Sequence, residues 1–207
     1  MTNTINTIST ISTPPGYVAQ ASTREKQIIF DNIYFLKISE LKSICFNRDI
    51  PTNIYYYKEG LLKKSGRVLH KKLLIKNILK HVEGKEIQKY VLNENMVNFE
   101  TLKKPKANDY VYFGQYHSSR SEKLLSKLTD GIFKKGYVSF MILHKLWRAG
   151  KQFTYKQFAK AYIKNKSKFE GKEHKEWAYI NHIKENHTAV DWKSKRKLIA
   201  KEVMAIF

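Results

Sequence analysis

His70-Lys71-Lys72-Leu73-Leu74-Ile75-Lys76-Asn77-Ile78-Leu79-Lys80-His81-Val82-Glu83-Gly84 is the stretch from which the fold is most directly read. Leu73, Leu74, Ile78, Leu79 and Val82 recur at spacings of one, three and four, which gathers them on one side of an α-helix. Lys71, Lys72, Lys76 and Lys80 take the remaining surface, and Gly84 is a C-terminal stop. Such a helix needs a partner for its apolar side and turns a cationic side toward water.

The partner lies N-terminal to it. Residues 25–50 read as two helices, the first with Ile29, Ile33 and Leu36 spaced four and three apart. In the second, Ser39 is an N-cap or first-turn residue and Leu41, Ile44 and Cys45 form the apolar stripe. Asp49-Ile50-Pro51 stops it, because the residue before proline avoids the helical region. Cys45 on that stripe reads as a small buried hydrophobe. Between Pro51 and His70, breaker signals fall at Glu59-Gly60 and Ser65-Gly66, and Ile54 to Tyr57 is β-prone. Residues 54–69 are therefore an extended loop or a small β-hairpin. Tyr55, Tyr56 and Tyr57 cannot all face one core. They stack on bases or sugars, or one is buried and two half-exposed. Residues 1–24 hold repeated Thr, Ser, Asn and Ile with no charge before Arg24, and read as a disordered tail.

Taken together, Leu36-Lys37-Ile38-Ser39-Glu40-Leu41-Lys42, Ile50-Pro51-Thr52, Ser65-Gly66-Arg67 and His70-Lys71-Lys72-Leu73-Leu74-Ile75-Lys76 form a pattern. It resembles the SAP family of helix–extended-loop–helix DNA-binding motifs. The resemblance covers residues 36–82, with an insertion at 53–64 that family members lack. It implies binding to duplex DNA through the N-terminal end of the second helix and the loop before it, at Ser65, Gly66, Arg67, His70, Lys71 and Lys72. The physics runs the same way: a helix N-terminus offers backbone N–H groups and a positive dipole end to a phosphate, and Gly66 permits close approach.

Tyr90-Val91-Leu92 and Met96 to Phe99 read as short extended pieces, and residues 101–108, with Lys103-Lys104-Pro105-Lys106, as a linker. Residues 109–207 then read as a basic helical domain, giving a mainly α architecture in two parts, 25–100 and 109–207. Ser118 or Ser119 caps a helix carrying Leu124, Leu125 and Leu128. Val138 to Trp147 is apolar almost all round and is expected at the centre of its domain. Thr154 with Gln157 is a capping box, and Phe153 with Phe158 a hydrophobic staple. Trp177, Ile180 and Ile183 mark a further helix, and Thr188 caps a last one with Trp192, Ile199, Val203 and Ile206.

Charge decides the class of partner. The chain of 207 residues carries 39 Lys+Arg against 18 Asp+Glu, a formal net charge of +21. Lys134 to Lys172 is the densest window, with Glu170 its one acid and aromatic residues between its cations. A disordered basic tail would lack those aromatics, so the charge sits on folded structure. Lys156, Lys160 and Lys164 fall at i, i+4 and i+8, one stripe on the capped helix. Lys193, Lys195, Arg196 and Lys197 open the last helix. A lysine stripe without acids at i+4 gains nothing from intrahelical pairing, which favours an external polyanion.

Other chemistries fare worse. Cys45 alone makes neither a disulfide nor a cysteine-based zinc site. The chain has no apolar run long enough to cross a membrane and no glycine-rich phosphate loop. His182 and His187 miss the i, i+4 metal spacing, and the cluster around His117 is explained by helix capping. The expectation is an intracellular DNA-binding protein of low sequence specificity that contacts phosphates, without enzyme activity, cofactor or metal. Duplex DNA is the favoured partner. RNA or the ribosome is the second, and an acidic protein surface the third, with the chain as adaptor or inhibitor.

Overall fold

The structure is a computed structural model that describes residues 21–100, 104–115, 118–169, 175–186 and 189–207. It is mainly helical, with eight α-helices and a small three-stranded sheet among the described residues. The helices are α1 (Thr23–Asn32), α2 (Ile38–Asn47), α3 (Lys71–Val82), α4 (Ser119–Leu128), α5 (Tyr137–Arg148), α6 (Tyr155–Phe169), α7 (Ala178–Asn186) and α8 (Trp192–Ile206). The strands are β1 (Asn53–Lys58), β2 (Leu61–Val68) and β3 (Tyr90–Leu92), in the order β2-β1-β3.

The chain forms two compact units, each built from separated segments. One takes in residues up to 53 together with 66–89 and 173–207, and the other residues 54–65 and 90–172. This division differs from the reading of 25–100 and 109–207 joined at 101–108. The long-range contacts of the last two helices explain the difference. Trp192 of α8 stacks on Phe35 at 5.6 Å, and Arg196 of α8 pairs with Glu40 of α2. No local pattern in sequence announces either contact. Of the expected linker, residues 101–103 lie outside the described residues, as do 1–20 of the expected tail.

In the first unit, the stripes read from sequence form the core. Ile29, Ile33 and Leu36 are fully buried, as are Leu41, Ile44 and Cys45 from α2 and Leu74, Ile78 and Val82 from α3. Each such Leu or Ile contributes roughly 1.5–3 kcal/mol of burial. Ser22 and Glu25 form a capping box at the start of α1. The helix ends at Asn32 and a 3-10 turn, Ile33–Phe35, carries the stripe on. At α2, Glu40 accepts the Lys37 N–H at 2.6 Å, so the cap is a carboxylate reaching back from the first turn. Ser39 is a first-turn residue.

Trp177 closes the 3-10 turn Lys175–Trp177 before α7, and α7 turns Ala178 and His182 inward. Ala178 and His182 are buried, and Ile180 is 46% exposed. The ring of Trp192 accounts for this, packing at 5.2 Å from His182 and 5.3 Å from Tyr179. Thr188, the expected cap of α8, lies outside the described residues.

In the second unit, β1 and β3 pair in parallel, Ile54 opposite Tyr90 and Tyr56 opposite Leu92. Residues 54–69 make the hairpin alternative rather than a loop. Glu59 and Gly60 form its two-residue turn with φ of 53° and 74°, the mirror-image turn that matches strand twist. All three tyrosines of β1 are half-buried, and Ile54 is the residue that points into the core. Helices α4, α5 and α6 pack around Leu125, Leu143, Trp147, Phe158 and Tyr162. The capping box of α6 forms as read, Thr154 and Gln157 exchanging bonds of 2.8 and 3.3 Å. The Phe153 and Phe158 rings lie 6.2 Å apart. Two polar side chains that enter this core find partners there: Trp147 Nε1 donates to the Val111 carbonyl at 3.0 Å, and the Tyr155 hydroxyl meets Ser121 Oγ at 2.9 Å.

Candidate nucleic-acid interface

The structure separates the residues that the sequence put together before α3. Ser65 is 3% exposed on β2, so its hydroxyl is not at a surface where a phosphate could meet it. Gly66 and Arg67 are exposed, and a Cβ at Gly66 would meet nothing within 4 Å.

His70 is the N-cap of α3, its Nδ1 accepting the Lys72 N–H at 3.4 Å, while the Leu73 N–H bonds the His70 carbonyl at 2.8 Å. Those two end donors are thus engaged from within the chain, which narrows what the helix N-terminus offers an anion. Lys71 is also engaged. Its ammonium donates to the Tyr34 carbonyl at 2.7 Å and ties α3 to the turn after α1. Lys72 is exposed.

What the structure brings forward instead is the length of α3. Lys72, Lys76 and Lys80 stand at i, i+4 and i+8 on one edge, and α3 contains no acid. That edge borders a groove of about 570 Å³. Its apolar lining is Phe30 and Tyr34, from α1 and the turn that follows, with Ile75 and Leu79 of α3. Lys85 and Lys175 join the three lysines around it, and Glu83, the one acid among its described lining residues, is paired with Lys85 at 2.9 Å. The Lys175 ammonium lies 5.7 Å from the centre of the Tyr34 ring.

The second cationic stripe is on α6. Lys156, Lys160 and Lys164 are all exposed, with Tyr155, Phe158, Ala159 and Tyr162 buried on the opposite side. Helix α6 likewise contains no acid. On α8, Lys193 is exposed but Arg196 is not available. One of its terminal nitrogens lies 2.9 and 2.8 Å from the two oxygens of Glu40, with only 13% of the arginine side chain exposed. Burial works to raise the Glu40 carboxyl, but the Lys37 N–H and the Arg196 guanidinium outweigh it and hold it below the usual carboxylate range. Arg196 is thus a structural cation.

Cys45 and the Tyr90–His144 pair are buried. Burial pushes the Cys45 thiol up to about 12, so it stays protonated and unreactive near neutral pH. Tyr90 and His144 meet at 2.6 Å inside the second unit, where burial raises the tyrosine hydroxyl further. His117 lies outside the described residues. Among the described residues, no group of three His, Cys, Asp or Glu is placed to hold a metal ion, and no helix is long and apolar enough to cross a membrane.

The groove is not legible as a unit in the sequence. Lys72, Lys76 and Lys80 have the same four-residue spacing as the α6 stripe, and Phe30 and Tyr34 are four apart beside Ile29 and Ile33. That Lys85 and Lys175 close the same groove is visible only in the fold. Comparison of the chain with protein-family models, curated proteins and solved structures gave no match.

Proposed function

We propose that the protein binds nucleic acid, with duplex DNA as the favoured form, at low sequence specificity and through lysine and arginine contacts to phosphates. The observation that carries this reading is the pair of acid-free helices, α3 and α6, one in each unit, each with lysines at i, i+4 and i+8. Like charges at that spacing repel. Cations in a first turn also oppose the helix dipole, and Lys71 and Lys72 on α3 and Lys193 and Lys195 on α8 are placed so. Solvation alone gives no reason to repeat this cost, whereas a phosphate polymer turns each such lysine into a favourable contact. Arg67, Lys72, Lys156, Lys160, Lys164 and Lys193 are the contacts assigned. A SAP-like role for α2 and α3 belongs to the same proposal, and the packing of these two helices on each other is compatible with it.

Competition among duplex DNA, single-stranded DNA, structured RNA and an acidic protein tests the reading. The expected result is that duplex DNA competes best. Log K should fall against log salt with a slope of about −5 to −8, for about six to nine neutralised phosphates. A tenfold preference for RNA moves the assignment to an RNA partner, and a preference for the acidic protein removes nucleic acid from it.

A further inference from the structure

We infer that the groove beside α3 seats unpaired nucleotides, so that the preferred ligand is a duplex bearing a short single-stranded stretch. The inference rests on the nucleic-acid reading above and adds to it the form of the strand. It comes from the mixed chemistry of the groove. Its lining is apolar and half aromatic, from Phe30, Tyr34, Ile75 and Leu79, while among the described residues Lys72, Lys76, Lys80 and Lys175 surround it beside the Lys85–Glu83 pair.

The outer surface of an intact duplex presents phosphates and sugars and hides the flat faces of its bases. A cationic row is enough for such a ligand, and an apolar floor adds nothing. A single strand presents both charges and flat apolar faces, and proteins that hold single strands combine a cationic track with aromatic platforms. Here the two features are side by side. Lys72, Lys76 and Lys80 follow one another about 6 Å apart along the helix, a row of positive charge along one wall. The size also agrees, since about 570 Å³ lies within the range of sites that enclose small ligands. Tyr34 is the stacking platform. Lys175 lies near its ring, and a base entering there exchanges a weak exposed cation–π contact for stacking while leaving that ammonium beside the strand's phosphate.

The test uses the full chain and three labelled probes: a blunt duplex, the same duplex with a tail of about four thymidines, within the size such sites cover, and the thymidine oligomer alone. Wild-type protein is expected to bind the tailed duplex about tenfold more tightly than the blunt one, the gain from about one stacked base. Tyr34→Phe should keep that advantage because the ring face remains. Tyr34→Leu should lose it. Circular dichroism and thermal melting of each variant establish that it is folded. Should Tyr34→Leu not fold, displacement of the tailed duplex from wild-type protein by a thymidine dinucleotide gives the same answer. Equal binding of tailed and blunt duplex overturns the inference and leaves the nucleic-acid reading standing. An advantage that survives in a folded Tyr34→Leu also overturns it, and so does displacement of the tail by a glutamate-rich peptide of equal charge. Failure to bind any of the three probes removes both.

Discussion

Arg196 of α8 holds Glu40 of α2 through a single guanidinium nitrogen that reaches both carboxylate oxygens, at 2.9 and 2.8 Å. The same carboxylate accepts the Lys37 N–H that opens α2. Glu40 therefore joins a helix cap to a tertiary ion pair. Arg196→Ala is expected to lower stability by about 1–2 kcal/mol, a charge-assisted bond discounted for partial exposure. Glu40→Ala should cost more, because it removes the cap as well. The folded-state pKa of Glu40 is depressed, so the unfolded chain binds its proton first as pH falls. The contribution is complete above the ordinary carboxylate pKa and is lost as pH falls through the folded value. Melting temperature followed from pH 6 to pH 3 should fall less steeply in Glu40→Gln than in the native chain.

His81 gives a second, higher window. It is buried on α3 with no hydrogen-bond partner for Nε2 among the described residues, and its pKa is lowered by burial and by the Arg48 guanidinium. The fold thus favours the neutral ring. Stability should be complete above the ordinary histidine pKa of about 6.5 and decline as pH falls toward the lower folded value. His81→Leu removes a buried polar atom that lacks a partner, so it should be nearly neutral at pH 7.5 and flatten this decline. An unchanged slope between pH 7 and pH 5 in urea melts of the variant would put the linkage elsewhere.

Gly114 is a position where glycine is required. Its φ is +108°, and a Cβ built on it would lie 2.4 Å from the Asn98 carbonyl oxygen. This approach accompanies the bonds that join Asn98 to Phe113 and Phe113 to Met96, at 3.0 and 2.8 Å. Backbone carbonyls cannot swing aside as side chains do. Gly114→Ala should therefore cost about 1–3 kcal/mol, read as a lower urea midpoint. Gly66→Ala, where the added methyl meets open space, serves as the mild control.

Lys156→Ala, Lys160→Ala and Lys164→Ala combined leave the buried side of α6 untouched. Alanine also removes the repulsion along the stripe and has the higher helix propensity. The triple variant should melt at or slightly above the native temperature. Its DNA affinity should fall evenly across sequences, and its salt slope should shrink by about 2–3. A full native slope would take α6 out of the interface.

Several local signals in the sequence hold. The stripes of α1 and α2, the Thr154–Gln157 box and the Glu59-Gly60 turn each depend on neighbours within a few residues, and each forms as the spacing dictates. On α3 the buried face is shifted, with Ile75 buried and Leu73 and Leu79 half-buried, and the Ser65-Gly66 breaker lies inside β2. What the spacing could not carry was partner choice at long range. Ile180 of α7 is exposed and His182 buried because the Trp192 ring sets which side of the helix is covered. Arg196 reads as a surface cation until Glu40, far away in sequence, is seen to hold it. The candidate site divides the same way. The α6 lysines were legible from their period, whereas the groove needs α1, α3 and Lys175 in one place.

The segmented layout of the two units also sets an order of events on the ribosome. Everything that builds the unit of residues 54–65 and 90–172 has been translated before α7 and α8 exist. The other unit must keep its first helices waiting for Trp192, Arg196 and Val203. Chains truncated after residue 172 and released should carry one finished unit and one with an open apolar flank, the state most prone to capture by chaperones or by another copy.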